Sequence, residues 1–249
     1  MFSHPTLETL LALRLFGMAR AFEEQLNGSV DMDVLTFEER LGLLVDREMT
    51  ERDDRRLKTR LRQAKLRHSG AAVEDLNYRR RRGLDRSLMT KLVTGQWIRE
   101  KRNILMTGPT GIGKSWIACA LGQKACRDGW TCQYLRAPRL FKDLEIARGD
   151  GSYRKHLLGL ARKDVLILDD WGLVRLGATE RQDLLEIMED RYDVRSTIVT
   201  SQVPVKKWHE VIGDPTFADA ILDRLIHNAY RIDMDGESFR KNDGADKDK

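Results

Sequence analysis

Residues Gly108, Pro109, Thr110, Gly111, Ile112, Gly113, Lys114 and Ser115 fit the pattern G-x-x-x-x-G-K-[ST], and that pattern needs a particular setting. A strand must deliver the chain to the glycines and a helix must carry it away. Both neighbours are legible: Asn103 to Thr107 is short and apolar, and Trp116 to Arg127 reads as helix. The glycines let backbone N–H groups turn inward around phosphate oxygens. The helix N-terminus adds the positive end of its dipole. Lys114 is expected to reach the β- and γ-phosphates of ATP, and the Ser115 hydroxyl to ligate Mg²⁺. Trp116 completes the expected nucleotide-binding set.

The chain beyond this loop alternates strand and helix. Strands are expected over Thr131 to Leu135, Asp164 to Leu168, Ser196 to Thr200 and Ala229 to Ile232. Helices are expected from Pro138 to Ala147, from Ser152 onward, from Ala178 to Arg191 and from Ala218 to His227. Such alternation specifies the α/β class, a parallel sheet with helices on both faces. The apolar run Val165 to Leu168 ends in Asp169 and Asp170, 55 residues after Lys114. A buried strand presents its last residues at the carboxyl edge of the sheet, where the phosphates lie. Asp169 is expected to hold Mg²⁺ through water, and Asp170 to orient or deprotonate the attacking water.

The first hundred residues read differently. Leu7, Leu11, Leu15, Met18, Phe22 and Leu26 form one helical stripe, read as core. Asn27 to Ser29 stops that helix, and Thr36 with Glu39 forms a capping box for the next, whose apolar face is Phe37, Leu41, Leu44 and Val45. Charge is spread unevenly within a net of +5: residues 1–50 carry 4 Lys or Arg against 9 Asp or Glu, residues 51–102 carry 17 against 7, and residues 103–249 carry 23 against 23. A basic block of this kind points to a polyanion, nucleic acid first. Within it, Tyr78 beside Arg79, Arg80, Arg81 and Arg82 suits backbone contact and stacking. A solvated face is the alternative. Asp85 is expected to cap a helix carrying Leu88, Leu92 and Trp97.

The expected organisation is a helical domain over 1–70, a basic connector and helix over 71–102, an ATPase domain over 103–240 and a disordered tail over 241–249. No apolar run approaches the ~18 residues of a membrane span, and the N-terminus lacks the features of a signal peptide. Cys119, Cys126 and Cys132 have no metal-binding spacing and read as reduced core thiols. Together these suggest a cytoplasmic protein without a membrane partner.

The phosphate loop, the Asp169 to Gly172 corner, Thr200 to Gln202, and Asp219 to Leu225 together resemble the IstB family. These are AAA+ helper ATPases of insertion sequences, related to the helicase loader DnaC. The resemblance runs from about Leu7 to Arg240. It implies a P-loop AAA+ domain without a full helical lid, preceded by a small all-α domain. It further implies that Gln202 is the sensor-1 residue, that Arg224 is an arginine finger acting on a neighbouring subunit, and that Arg240 is a second sensor. It makes the segment carrying Arg139, Lys142, Arg148, Tyr153, Arg154 and Lys155 an initiator-type hairpin, with Lys142, Tyr153, Arg154 and Lys155 against DNA. The implied activity is weak, assembly-dependent ATP hydrolysis by a protein that forms a ring or spiral on duplex DNA and helps a cognate transposase select and deform its target. Asp170 stands where AAA+ proteins more often have Glu, which suggests slow turnover. Two alternatives stand beside this reading. A DnaC-like replicative helicase loader would prefer single strands, and a P-loop kinase would need neither the basic block nor Arg224.

Overall fold

The computed structural model describes residues 4–28, 34–78, 82–236 and 238. The chain divides into two compact units, residues 1–59 and residues 60–249. The expected tail and the residues Arg79, Arg80, Arg81 and Arg240 lie outside the described residues.

The first unit holds α1 (Pro5–Ala12), α2 (Phe16–Leu26) and most of α3 (Phe37–Ala64). The stripe from Leu7 to Leu26, expected on one helix, is split between two. Arg14 turns into the left-handed region (φ 59°), and the N–H groups of Leu13, Arg14 and Leu15 close onto the carbonyls of Thr9, Leu11 and Leu10. The capping box forms as expected: Glu39 accepts from Thr36 N at 2.8 Å, and Glu39 N donates to Thr36 Oγ1 at 3.3 Å. The expected core faces are largely exposed. Phe37 is 70% exposed, Leu11 46%, Leu41 41%, and α1 buries no residue.

Cohesion in this unit rests on a polar clamp. Glu48, buried on α3, accepts from Gly17 N at 2.7 Å and Met18 N at 3.2 Å, and is braced by Arg52 Nε at 2.6 Å. A carboxylate thus satisfies the free N–H groups opening α2. Burial alone would raise the Glu48 pKa, but Arg52 and the two backbone donors outweigh it and hold the group below its ordinary value. The approach is so close that a Cβ on Gly17 would meet Glu48 Cα at 2.6 Å and Arg47 O at 2.8 Å. Gly17→Ala should therefore destabilise this unit by about 1–3 kcal/mol, the cost of overpacking against backbone, well above the helix-propensity gain of up to ~1 kcal/mol. Loss of helical circular dichroism at lower denaturant would show it. An unchanged midpoint would mean the crossing yields freely.

The second unit begins within the last turn of α3, where Arg60 Nε donates to Cys126 O at 2.9 Å. The helix expected through Leu88 and Trp97 is two, α4 (Arg86–Val93) and α5 (Gln96–Arg99), because Gly95 sits at φ 73° between them. Asp85 caps α4 as expected, accepting from Ser87 N at 2.8 Å. Strand β1 (Asn103–Thr107) leads to α6 (Lys114–Arg127), then β2 (Cys132–Arg136), α7 (Ala137–Gly149), α8 (Tyr153–Ala161), β3 (Val165–Trp171), α9 (Ala178–Arg191), β4 (Ser196–Ser201), α10 (Trp208–Ile212), α11 (Pro215–Ile226) and β5 (Ala229–Asp233).

All strand pairs are parallel, in the order β2-β3-β4-β1-β5. The central strands are apolar on both faces because helices cover both: Ile104, Leu105, Leu166, Ile167, Ile198 and Val199 are buried. Each such side chain contributes about 1.5–3 kcal/mol on burial. The three cysteines are free and buried. Among the described residues no helix is long and apolar enough to cross a membrane.

Candidate active site

The strand order brings the ends of β1, β3 and β4 side by side, so everything following them converges on one edge of the sheet. The loop after β1 turns sharply at Gly108 (φ 145°), where a Cβ would collide with the backbone oxygen of Met234. The chain then enters α6 at Lys114 with Gly113 as its N-cap. That leaves the first N–H groups of a 14-residue helix facing the cleft. Lys114 Nζ donates to the carbonyls of Gly108 at 2.6 Å and Pro109 at 2.7 Å, arching back over the loop. Burial lowers its pKa, and Asp169 and Asp170 oppose that shift.

Asp169 is fully buried and is the hub of the site. Its Oδ1 accepts from Ser115 Oγ at 2.7 Å and from Thr200 Oγ1. Its Oδ2 accepts from the Tyr134 hydroxyl, and Arg67 Nη1 stands 3.8 Å away. Burial first, and then the bond to Asp169, push the Tyr134 hydroxyl far above its ordinary pKa, so it stays a donor. Asp170 points differently. A register shift between β3 and β4 after Leu168 and a left-handed backbone (φ 60°) turn it out of the strand. Its Oδ2 pairs with Arg136 Nε at 2.8 Å, at the end of β2. Thr200 ties the pair together, accepting from Asp170 N at 3.3 Å while donating to Asp169.

Beside this hub lies a cleft of about 410 Å³ with Thr110, Gly111, Gly113, Lys114, Ser115, Trp116, Asp170 and Gln202 on its walls. That is the size range of a small-molecule site. Gln202 follows β4 directly, at the carboxyl edge, facing this cleft. The expected loop residues, both acids and Gln202 are thus brought to one place. Residues from the segment after α3 join them: Arg67, His68, Asp75, Asn77 and Arg82. Ser115 and Asp169 present two hard oxygen donors in direct contact, which suits Mg²⁺. That ion keeps several waters and needs only one or two protein ligands beside phosphate. No larger group of His, Cys, Asp or Glu able to hold a metal occurs among the described residues.

Two residues expected at DNA make contacts within the chain. Arg82 is buried at 6% exposure, and its guanidinium donates to Ile112 O at 3.3 Å and Asn77 O at 3.1 Å. It braces the phosphate loop instead of facing outward. Tyr153 donates its hydroxyl to Asp183 at 2.7 Å and Glu186 at 3.0 Å, and its ring carries the Arg148 guanidinium at 4.2 Å. Arg148 in turn pairs with the buried Asp183. Both side chains lock the α7–α8 hairpin onto α9. Lys142, Arg154 and Lys155 are exposed on that hairpin. Arg224 lies elsewhere, near the end of α11. It donates to Ala220 O at 2.7 Å and Glu189 Oε1 at 3.0 Å, and its own carbonyl accepts from Asn103, the first residue of β1.

The chain as a whole is similar to known proteins. A family model described as IstB-like ATP binding protein matches residues 8–246. An insertion sequence ATP-binding protein of Sinorhizobium fredii (strain NBRC 101917 / NGR234) is 56% identical over 242 residues, covering 97% of this chain and 98% of its own length. The ATP-binding protein of insertion sequence IS1162 from Pseudomonas fluorescens is 54% identical over 204 residues, covering 82% and 88%. Among solved structures, the DnaC helicase loader superposes with a TM-score of 0.54 at 17% identity, covering 68% of this chain and 98% of that one. DnaI superposes at 0.56 and 18%, covering 68% and 89%. At those identities the likeness is one of fold, that of a P-loop AAA+ ATPase.

Proposed function

Because the chain belongs to the IstB-like family of ATP-binding proteins, we propose that it is the ATP-driven DNA-binding helper of an insertion sequence, assembling on duplex DNA so that a cognate transposase can select and deform its target. That it is an ATPase follows from its family and fold; the steps beyond that are our reading. The observation that carries it is the Asp169 hub, which joins phosphate loop, β3 and β4 into one hydrolytic cleft. Lys114 and the N-terminus of α6 neutralise phosphate charge. Ser115 with Asp169 would hold Mg²⁺, which would supply further positive charge to the phosphates. Asp170 takes the proton of the attacking water, and Gln202 fixes where that water stands. Arg240 is retained only as a candidate second sensor.

DNA binding is supported by the 17-to-7 cationic excess of residues 51–102 and by the exposed Lys142, Arg154 and Lys155. We assign residues 1–70 to assembly and DNA contact and residues 71–102 to a basic connector, with Arg79, Arg80 and Arg81 remaining candidates within it. Family relatives named for insertion sequences favour the transposition role over the helicase-loader alternative. Sedimentation with ATP and either duplex or single-stranded DNA tests the choice. ATP-dependent assembly confined to single strands would favour a loader.

Phosphate contacts predict strong salt dependence. Replacing Lys142, Arg154 and Lys155 together by Ala should reduce the slope of log affinity against log salt by up to ~0.9 for each phosphate no longer neutralised. All DNA sequences should weaken alike, since phosphate contacts carry no sequence information. An unchanged slope would move the DNA contact off the hairpin.

A further inference from the structure

Arg67 reaches the cleft by a route that no nucleotide-binding motif describes. After α3 ends at Ala64, Lys65 adopts a left-handed backbone (φ 50°) and turns the chain back toward α6. Leu66 packs where a Cβ on Gly122 would stand, 3.2 Å from its Cδ2. That anchor fixes where Arg67 enters. Its guanidinium stands 3.8 Å from Asp169 Oδ2, and hydrogen bonding to Tyr134, with Asp169 and Asp170 nearby, holds it firmly protonated. Tyr134, buried in β2, donates its hydroxyl hydrogen bond to the same Asp169 oxygen.

The two oxygens of Asp169 therefore have separate tasks. Oδ1 faces Ser115 and Thr200. Oδ2 is occupied by Tyr134 and faced by Arg67. Contacts on both oxygens restrain rotation of the carboxylate and keep Oδ1 aimed at Ser115. We propose that Arg67 is a positioning residue of the ATPase site: beside Tyr134, it holds Asp169 Oδ2 so that Oδ1 and the Ser115 hydroxyl face one Mg²⁺ position. The inference rests on the assignment of Ser115 and Asp169 as the metal ligands. Outer groups that orient a ligand typically govern 10–100-fold in metal affinity. Arg67 is partly exposed, so its replacement leaves the core intact.

The test measures binding of a fluorescent ATP analogue by the full chain, with EDTA and across a Mg²⁺ titration, alongside turnover. Tyr134→Phe, away from the cleft wall, should leave affinity in EDTA unchanged within about twofold, and Arg67→Ala, on that wall, should weaken it less in EDTA than in Mg²⁺. Each should raise the Mg²⁺ concentration at half-effect by roughly 10-fold or more. The double variant should shift no further than either single one, because both act on the same Asp169 oxygen. Arg67→Lys, which keeps a cationic donor, should recover part of the loss. If Arg67→Ala weakens binding equally in EDTA and Mg²⁺, or if the two single shifts add, the positioning role is wrong. If the wild-type protein binds the analogue alike with and without Mg²⁺, the metal assignment itself fails and takes this inference with it.

Discussion

Asp170→Asn is expected to bind ATP within about twofold of the wild-type protein, less than ~0.5 kcal/mol, and to hydrolyse it 10²- to 10⁴-fold more slowly, roughly the range of a general base. The substitution is mild for the fold. Asp170 sits at φ 60°, a conformation that Asn tolerates as readily as Asp. The amide oxygen can still accept from Arg136, now 2.8 Å from Oδ2. What disappears is the charge and the proton acceptor. Lys114→Ala should do the opposite and fail at binding. Its ammonium already turns toward the loop carbonyls at 2.6 and 2.7 Å, placed to exchange them for phosphate oxygens. A charged contact of about 1.5–3 kcal/mol corresponds to roughly 10- to 150-fold in affinity. Equilibrium binding and single-turnover hydrolysis separate the two defects. Normal turnover by Asp170→Asn would remove that residue from catalysis and leave its pairing with Arg136 as its role.

Much of this site was legible because its parts announce themselves locally. The phosphate loop, the acids ending β3 and Gln202 after β4 are contiguous in sequence with apolar strands, and a buried parallel strand is among the plainest patterns a chain can carry. β1 and α9 occupy the residues expected of them, and the other strands differ by one to three residues at their ends. Arg67, Tyr134 and Arg136 gave no such signal. They meet Asp169 and Asp170 across 34 to 102 intervening positions, and only the strand order brings them together. Composition marks the cationic run at 79–82 but not which arginine turns inward to brace the loop, as Arg82 does. Tyr153, expected against DNA, has its hydroxyl bonded to Asp183 and Glu186, 30 and 33 positions away, contacts no local pattern announces. In the first unit, periodicity correctly grouped Phe37, Leu41 and Val45 on one face, but a shared face does not say what covers it, and all three are exposed.

Arg224→Ala should still bind ATP as a monomer, yet fail to form large ATP-dependent assemblies on DNA and lose 10³- to 10⁵-fold in hydrolysis, roughly the range of an arginine finger. Arg224 stands at the wrong end of the sheet to serve its own nucleotide. Its carbonyl meets Asn103 at the start of β1, whereas the phosphate loop follows Thr107 at the strand's end. Four strand steps of about 3.3 Å separate those ends by roughly 13 Å, so Arg224 cannot serve the phosphates of its own chain. A neighbouring copy's cleft is the site it can serve. Such a contact joins two different surfaces, and repetition gives a ring or open spiral, not a closed dimer. In the single chain the guanidinium pairs with Glu189 at 3.0 Å on a partly exposed surface. Exposed pairs of this kind are worth about 0–1 kcal/mol, less than the ~1.5–3 kcal/mol of a charged contact to phosphate, so ATP in the neighbour wins the exchange. On this proposal, hydrolysis would remove the γ-phosphate and return Arg224 to Glu189, loosening the interface. DNA threaded through such an array would touch every subunit, and many weak phosphate contacts would sum through effective concentration. Glu189→Gln is the control: it frees the arginine and should preserve or strengthen assembly. Sedimentation with ATP and duplex DNA reads both variants. If Arg224→Ala assembles and turns over as the wild type does, its pairing with Glu189 is its whole role, and the exposed Arg231 on β5 becomes the next candidate for the residue that completes a neighbour's site.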